Sequence, residues 1–231
     1  MVAGMIRTLR FDGGSARLVS PDPRFTYPTL AERRADGTVQ STNVVLAMAG
    51  CVGLAVLVGQ QSNPRRMAAL VAYGIGLLAM AVCSAVYSWK RDDARQMLYR
   101  HLDQAAIFLM IAGTYTPFMV VSREGGYGTR VLAVVWAIAL FGVVFKLAAP
   151  NRFERLALPL YLLTGWAIVF APGVLLGLPP IVVSLLVAGG MCYTGGIVFY
   201  RARFRFQEAL WHGAVMAAAV CHYAAVVVAM G

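Results

Sequence analysis

Four short segments carry the side chains able to do chemistry: Cys83-Ser84-Ala85-Val86-Tyr87-Ser88, His101-Leu102-Asp103-Gln104, Glu208-Ala209-Leu210-Trp211-His212 and Cys221-His222-Tyr223. Ser84 and Ser88 stand four residues apart, as do Glu208 and His212, so each pair shares one face of a helix. Carboxylate, imidazole and hydroxyl groups gathered at a membrane edge are where an ion is held or a proton moved. His222 lies ten residues past His212, about 15 Å further along a helix. It cannot share a mononuclear site with the others. Each residue also has a plainer explanation. Asp103 and Glu208 near helix N-termini complement the macrodipole. The two serines can bond back to carbonyls one turn earlier, and His212 can sit in hydrated headgroup space.

The elements that must position these groups are membrane helices. Of 231 residues, 60% are hydrophobic and only 13% charged, half the roughly 25% of a soluble protein. Mean hydropathy is +0.70. A soluble fold of this size cannot hide so much apolar surface, so part of it faces lipid. Seven runs approach the ~20 apolar residues that a span requires: Thr42–Gln60, Met67–Trp89, Asp103–Ser122, Val131–Leu147, Leu156–Leu176, Pro180–Tyr200 and Ala209–Met230. The fifth contains Pro159 and Pro172, where kinks are expected. The predicted fold is an all-α integral membrane bundle of seven transmembrane helices at residues 42–231. Residues 1–41, with Pro21, Pro23, Pro28 and scattered charge, are expected to be a flexible cytoplasmic tail.

Basic residues set the orientation. The tail holds six arginines, and the even-numbered loops hold Lys90, Arg91, Arg95, Arg100, Lys146, Arg152, Arg155, Arg201, Arg203 and Arg205. The opposite face has Arg65, Arg66, Arg123 and Arg130 alone. A split of sixteen to four puts the N-terminus in the cytoplasm and the C-terminus outside. The net charge of +10 is thus a topological signal, and no nucleic-acid partner is expected. Ala188, Cys192 and Gly196 at four-residue spacing predict close helix packing in the sixth span.

Several function classes drop out. The seventh span has no lysine for a retinal Schiff base, and no nucleotide site is expected. No carboxylate is central to a span, which argues against an ion-coupled transporter. Gly125-Gly126-Tyr127-Gly128 has no flanking pore helix and is expected to be a hydrophilic turn. The four cysteines lie in apolar runs without CxxC spacing, as buried small hydrophobes do. The polar first forty residues contain no signal-peptide core.

The chain resembles the hemolysin III branch of the progestin and adipoQ receptor (PAQR) superfamily. The resemblance is carried by Ser84-Ala85-Val86-Tyr87, by Leu102-Asp103 with Ile111-Ala112-Gly113-Thr114-Tyr115-Thr116-Pro117-Phe118, by Tyr161–Trp166, by Gly189–Tyr193 with Phe199-Tyr200, and by Cys221-His222-Tyr223. These segments fall in the family's order across residues 42–231. The family's architecture, seven helices with a cytoplasmic N-terminus, agrees with the charge count.

The resemblance implies a zinc site at the cytoplasmic face held by three histidines, with an aspartate and a serine close by. Placed on this chain, the serine is Ser84, the aspartate Asp103 and the last zinc histidine His212. The other two histidine positions hold Ser88 and Glu208, the residue after the aspartate is Gln104, and Asn43 stands where a first-span histidine is expected. Glu replaces His acceptably as a zinc ligand, but a neutral serine hydroxyl does not. The remaining candidate ligands are Glu208, His212 and Asp103, for zinc or a harder ion such as manganese. A bound ion would lower the pKa of its water toward roughly 7 and polarise an acyl or amide carbonyl. Asp103 or Glu208 would then act as general base, and Ser84 would donate to the oxyanion. The cleft would open to the inner leaflet, making membrane lipids or a lipid-like small ligand the partner.

Loss of two histidines favours a lipid-related membrane protein with a degenerate metal site and reduced or no catalysis. A metal-dependent hydrolase of lipid acyl or amide bonds is the alternative. The family's name adds a third, a cytolysin, against which the uniformly apolar spans argue. Arg-over-Lys usage with abundant Ala, Val and Gly suggests a GC-rich bacterium and hence the inner membrane.

Overall fold

The computed structural model describes residues 9–12, 15–18, 29–91, 93–122, 126–201 and 204–231. Pro21, Pro23, Pro28, Arg123, Gly125 and Arg203, and two of the six tail arginines (Arg7 and Arg24), lie outside them. Leu9–Asp12 (β1) and Ser15–Leu18 (β2) pair as an antiparallel ribbon. The rest is helical: α1 Leu30–Gln60, α2 Pro64–Trp89, α3 Gln96–Val121, α4 Gly126–Ala148, α5 Pro150–Gly165, α6 Pro172–Leu176, α7 Pro180–Arg201 and α8 Gln207–Met230. Six of these, all but α5 and α6, are long and apolar enough to cross a membrane. Large apolar side chains such as Val52, Ile75, Phe141, Val144 and Val198 stand on the outside, where a soluble protein could not sustain them.

The first helix starts twelve residues before the expected span. Residues 30–41 are therefore helical, not flexible. A capping box explains the start. Thr29 Oγ1 accepts from the Glu32 amide at 3.3 Å, and the Glu32 carboxylate accepts from the Thr29 amide at 2.9 Å, satisfying two otherwise orphaned donors. Glu32 also accepts from the Phe206 amide at 3.2 Å. Phe206 sits in the left-handed region at φ 62°, unusual for a bulky residue, and this bond holds it there at the head of α8.

Further contacts fix how α1 and α8 run. Asp36 meets His212, Tyr223 Oη donates to the Gly50 carbonyl at 3.1 Å, and Gln61 donates to the Met230 carbonyl at 3.0 Å. Both residue numbers rise together, so the two helices are parallel.

The pairs α2–α3 and α7–α8 pack most extensively, and α3 also touches α4, α5 and α8. Gly76 and Gly113 allow α2 and α3 to approach backbone to backbone. A Cβ on Gly76 would lie 2.9 Å from the Leu109 carbonyl oxygen, and one on Gly113 would lie 3.0 Å from that of Ala72. Small residues serve the same purpose at membrane helix interfaces generally. On α7 the buried residues are Val182, Gly189 and Gly196. Of the expected Ala188–Cys192–Gly196 stripe only Gly196 is buried, because the helix turns a seven-residue repeat inward. Gly126–Gly128, expected as a turn, form the first residues of α4.

The expected fifth span is broken into α5, a 3-10 turn at Ala167–Phe170, and α6. Backbone groups freed by such a break must be satisfied within the protein. Tyr115 does most of this. Its hydroxyl donates toward the Thr164 and Gly165 carbonyls at 2.9 and 3.1 Å and accepts from the Ile168 amide at 2.7 Å. Trp166 Nε1 anchors the break to Thr194 of α7 at 3.0 Å.

Candidate metal centre and adjoining cavity

The starts of α1, α3 and α8 and the end of α2 meet at one end of the bundle. There Asp36, Glu208 and His212 bring one ligand atom each within 4.8 Å of one another, all three residues buried. His212 Nδ1 lies 2.5 Å from Asp36 Oδ1. An ionised carboxylate only accepts, so Nδ1 is the donor in this contact. Asp36 Oδ2 accepts from the Ser88 hydroxyl. Arg91, two residues past the end of α2, places Nη2 2.5 Å from Glu208 Oε2. Both side chains are at most 10% exposed. The Arg91 guanidinium also lies 4.9 Å from the centre of the Tyr87 ring.

The sequence reading offered Glu208, His212 and Asp103 as ligands; the ligand-type atoms that converge in the structure belong to Asp36, Glu208 and His212. Asp103 is seven residues into α3, beyond the first turn where the macrodipole acts, and lines the adjoining cavity together with Ser84. Ser84 accepts from Gln40 Nε2 at 2.8 Å. Ser84, expected to donate to an oxyanion, lines the cavity with Asp103 and His212. Ser88, at an expected histidine position, is buried and serves Asp36.

Asp36 carried a signal. Glu32, Asp36, Gln40 and Asn43 are all buried and follow helical spacing along α1. That stripe is readable once the segment is taken as helix.

By donor type and spacing, Asp36, Glu208 and His212 could hold a divalent ion. As arranged, their atoms are committed elsewhere. Both Asp36 oxygens are taken by His212 and Ser88, and one Glu208 oxygen by Arg91. Catalytic zinc needs three protein ligands, so an ion here would share its carboxylates with these partners and sit against the Arg91 charge.

Beside the cluster opens a cavity of about 1260 Å³. Ser84, Asp103, Tyr161, Trp166, His212 and His222 are among the residues that line it. His222 contacts the Leu186 carbonyl at 3.3 Å, well removed from the cluster, as its spacing predicts.

The sequence model of haemolysin-III-related proteins matches residues 41–223. The chain belongs to the hemolysin III family. It is 30% identical over 190 residues to a hemolysin-3 homolog of Bacillus subtilis (strain 168), covering 81% of this chain and 89% of that one. Against hemolysin-3 of Bacillus cereus the figures are 29% over 183 residues, 78% and 84%. The human monocyte to macrophage differentiation factor is 27% identical over 169 residues, 67% of each chain, which joins the family to the PAQR branch. The hemolysin III match begins after Asp36, so the third member of the cluster comes from outside the matched stretch.

Proposed function

We infer that this hemolysin III protein is a lipid-binding protein of the bacterial inner membrane, with reduced or no catalysis. One observation carries the reading: a cavity larger than the usual 300–1,000 Å³ small-molecule site joins a buried charge cluster to an apolar interior. An acyl chain fits the apolar part, and Arg100, Arg201 and Arg205 on the lining suit an anionic head group. The cluster's donors are engaged with one another, which favours binding over turnover.

Seven crossings are part of the same proposal. Parallel α1 and α8 need an odd number of spans between them. The intact helices α2, α3, α4 and α7 supply an even number, so α5 and α6 together supply the remaining crossing. The excess of basic residues at the α2–α3 turn supports a cytoplasmic position for the cluster.

A metal-dependent hydrolase of lipid acyl or amide bonds is the second reading, favoured by the convergence of three ligand-type groups beside Ser84 and Asp103. The relatives' name adds cytolysis as a third, which leakage of dye-loaded liposomes by purified protein would expose.

Turnover separates the first two. Purified protein in nanodiscs is given lipid esters and amides with isotopically labelled acyl chains, with and without added zinc or manganese. Intact lipid and no labelled acid support the first reading. Acid release that requires metal and is lost in Asp103→Asn supports the second.

A further inference from the structure

We propose that Arg91 is a tethered cation standing in the place of a metal ion's charge, so that the cluster is complete without metal and becomes a divalent-cation site when that charge is removed. The proposal deepens the non-catalytic reading given above. It rests on the pairing of the carboxylates. Asp36 and Glu208 bring two buried carboxylates together, with half-buried Asp103 beside them and Glu32 at the edge. No buried carboxylate is tolerated without a counter-charge. A metal ion would supply it for Glu208 and Asp36 together. Here the cation comes from the chain: Arg91 pairs with Glu208, while Asp36 accepts hydrogen bonds from the His212 ring and the Ser88 hydroxyl. Arg100, also buried, adds a further positive charge near Tyr87.

Arg91 is built for this part. It reaches in from the turn after α2, it is 8% exposed, and the Tyr87 ring beneath its guanidinium stabilises the charge. An incoming ion would have to share Glu208 with Arg91, setting two positive charges side by side in a buried site. Replacing Arg91 by a neutral residue reverses the competition: Glu208 is stranded and a soluble cation becomes its natural partner.

The test uses the full-length protein in detergent with zinc and manganese as probes. Metal content after dialysis is read by mass spectrometry, and affinity by titration calorimetry. Wild type is expected to carry no stoichiometric metal, and its melting temperature should not respond to a chelator. Arg91→Gln is expected to melt earlier, to recover with added metal, and to bind that metal about tenfold or more tightly than wild type. Arg91→Gln combined with Glu208→Gln should lose both the recovery and the binding. Stoichiometric metal in wild type that is lost in Glu208→Gln would overturn the proposal, as would Arg91→Gln binding metal no better than wild type. If Arg91→Gln does not fold, the chelator response of wild type still decides: a lowered melting temperature overturns the proposal. Lipid occupancy of the cavity, measured separately, would stand in either case.

Discussion

His212 Nδ1 lies 2.5 Å from Asp36 Oδ1 across 176 positions of sequence, and this contact joins the first helix to the last at the mouth of the cavity. It is a buried pair, with side-chain exposures of 6% and 0%. Removing one partner of such a pair costs about 3–5 kcal/mol, because the other is left uncompensated. Asp36→Ala and His212→Ala should each lower stability by about that amount. Asp36→Asn with His212→Gln, which restores neutral partners, should recover much of it. Thermal unfolding of the purified variants measures all three, and strict additivity of the two single losses would contradict a direct pair.

Tyr115→Phe removes one hydroxyl and strands three backbone groups at the break after α5. Each unsatisfied buried group costs about 1–3 kcal/mol. The expected result is faster hydrogen exchange at the Ile168 amide with little change in α1 and α8. Unchanged exchange there would show that the break is held by something else.

Much of this architecture was legible in the sequence. The spans of α2, α4, α7 and α8 follow from apolar runs, and Pro159 and Pro172 mark the fifth as irregular. Glu208 and His212 were found because four-residue spacing puts them on one face. Asp36 was missed because a polar, proline-containing stretch resembles a tail, and its helix depends on a cap at Thr29 whose strength comes from docking onto the α8 turn. The exchange of Asp103 for Asp36 is a tertiary matter. Sequence spacing fixes depth within each helix, but which carboxylate faces His212 depends on how α1 and α3 rotate against α8.

Gly76→Val and Gly113→Val should drive α2 and α3 apart, since each added side chain meets backbone rather than a movable group. Overpacking of this kind costs about 1–3 kcal/mol or more. Both variants should show reduced thermal stability, whereas Gly59→Ala, where a Cβ meets open space, should not. Equal stability of all three would remove the close approach of α2 and α3 from the account.

Orientation is tested in a cysteine-free background. A single cysteine at Gly231 should react with membrane-impermeant maleimide in intact spheroplasts, and one at Thr29 only after lysis. The reverse pattern would invert the topology, and labelling of both from outside would remove the seventh crossing.

The most direct measurement of the central claim is native mass spectrometry of the protein after extensive delipidation, wild type beside Ile107→Trp, which places a large ring on the cavity wall. The account predicts that wild type retains an acyl-bearing lipid at near one equivalent and that Ile107→Trp, still folded by gel filtration, has lost it. Wild type free of lipid, or the same lipid retained by both, would contradict the claim that this cavity is where the protein holds its ligand.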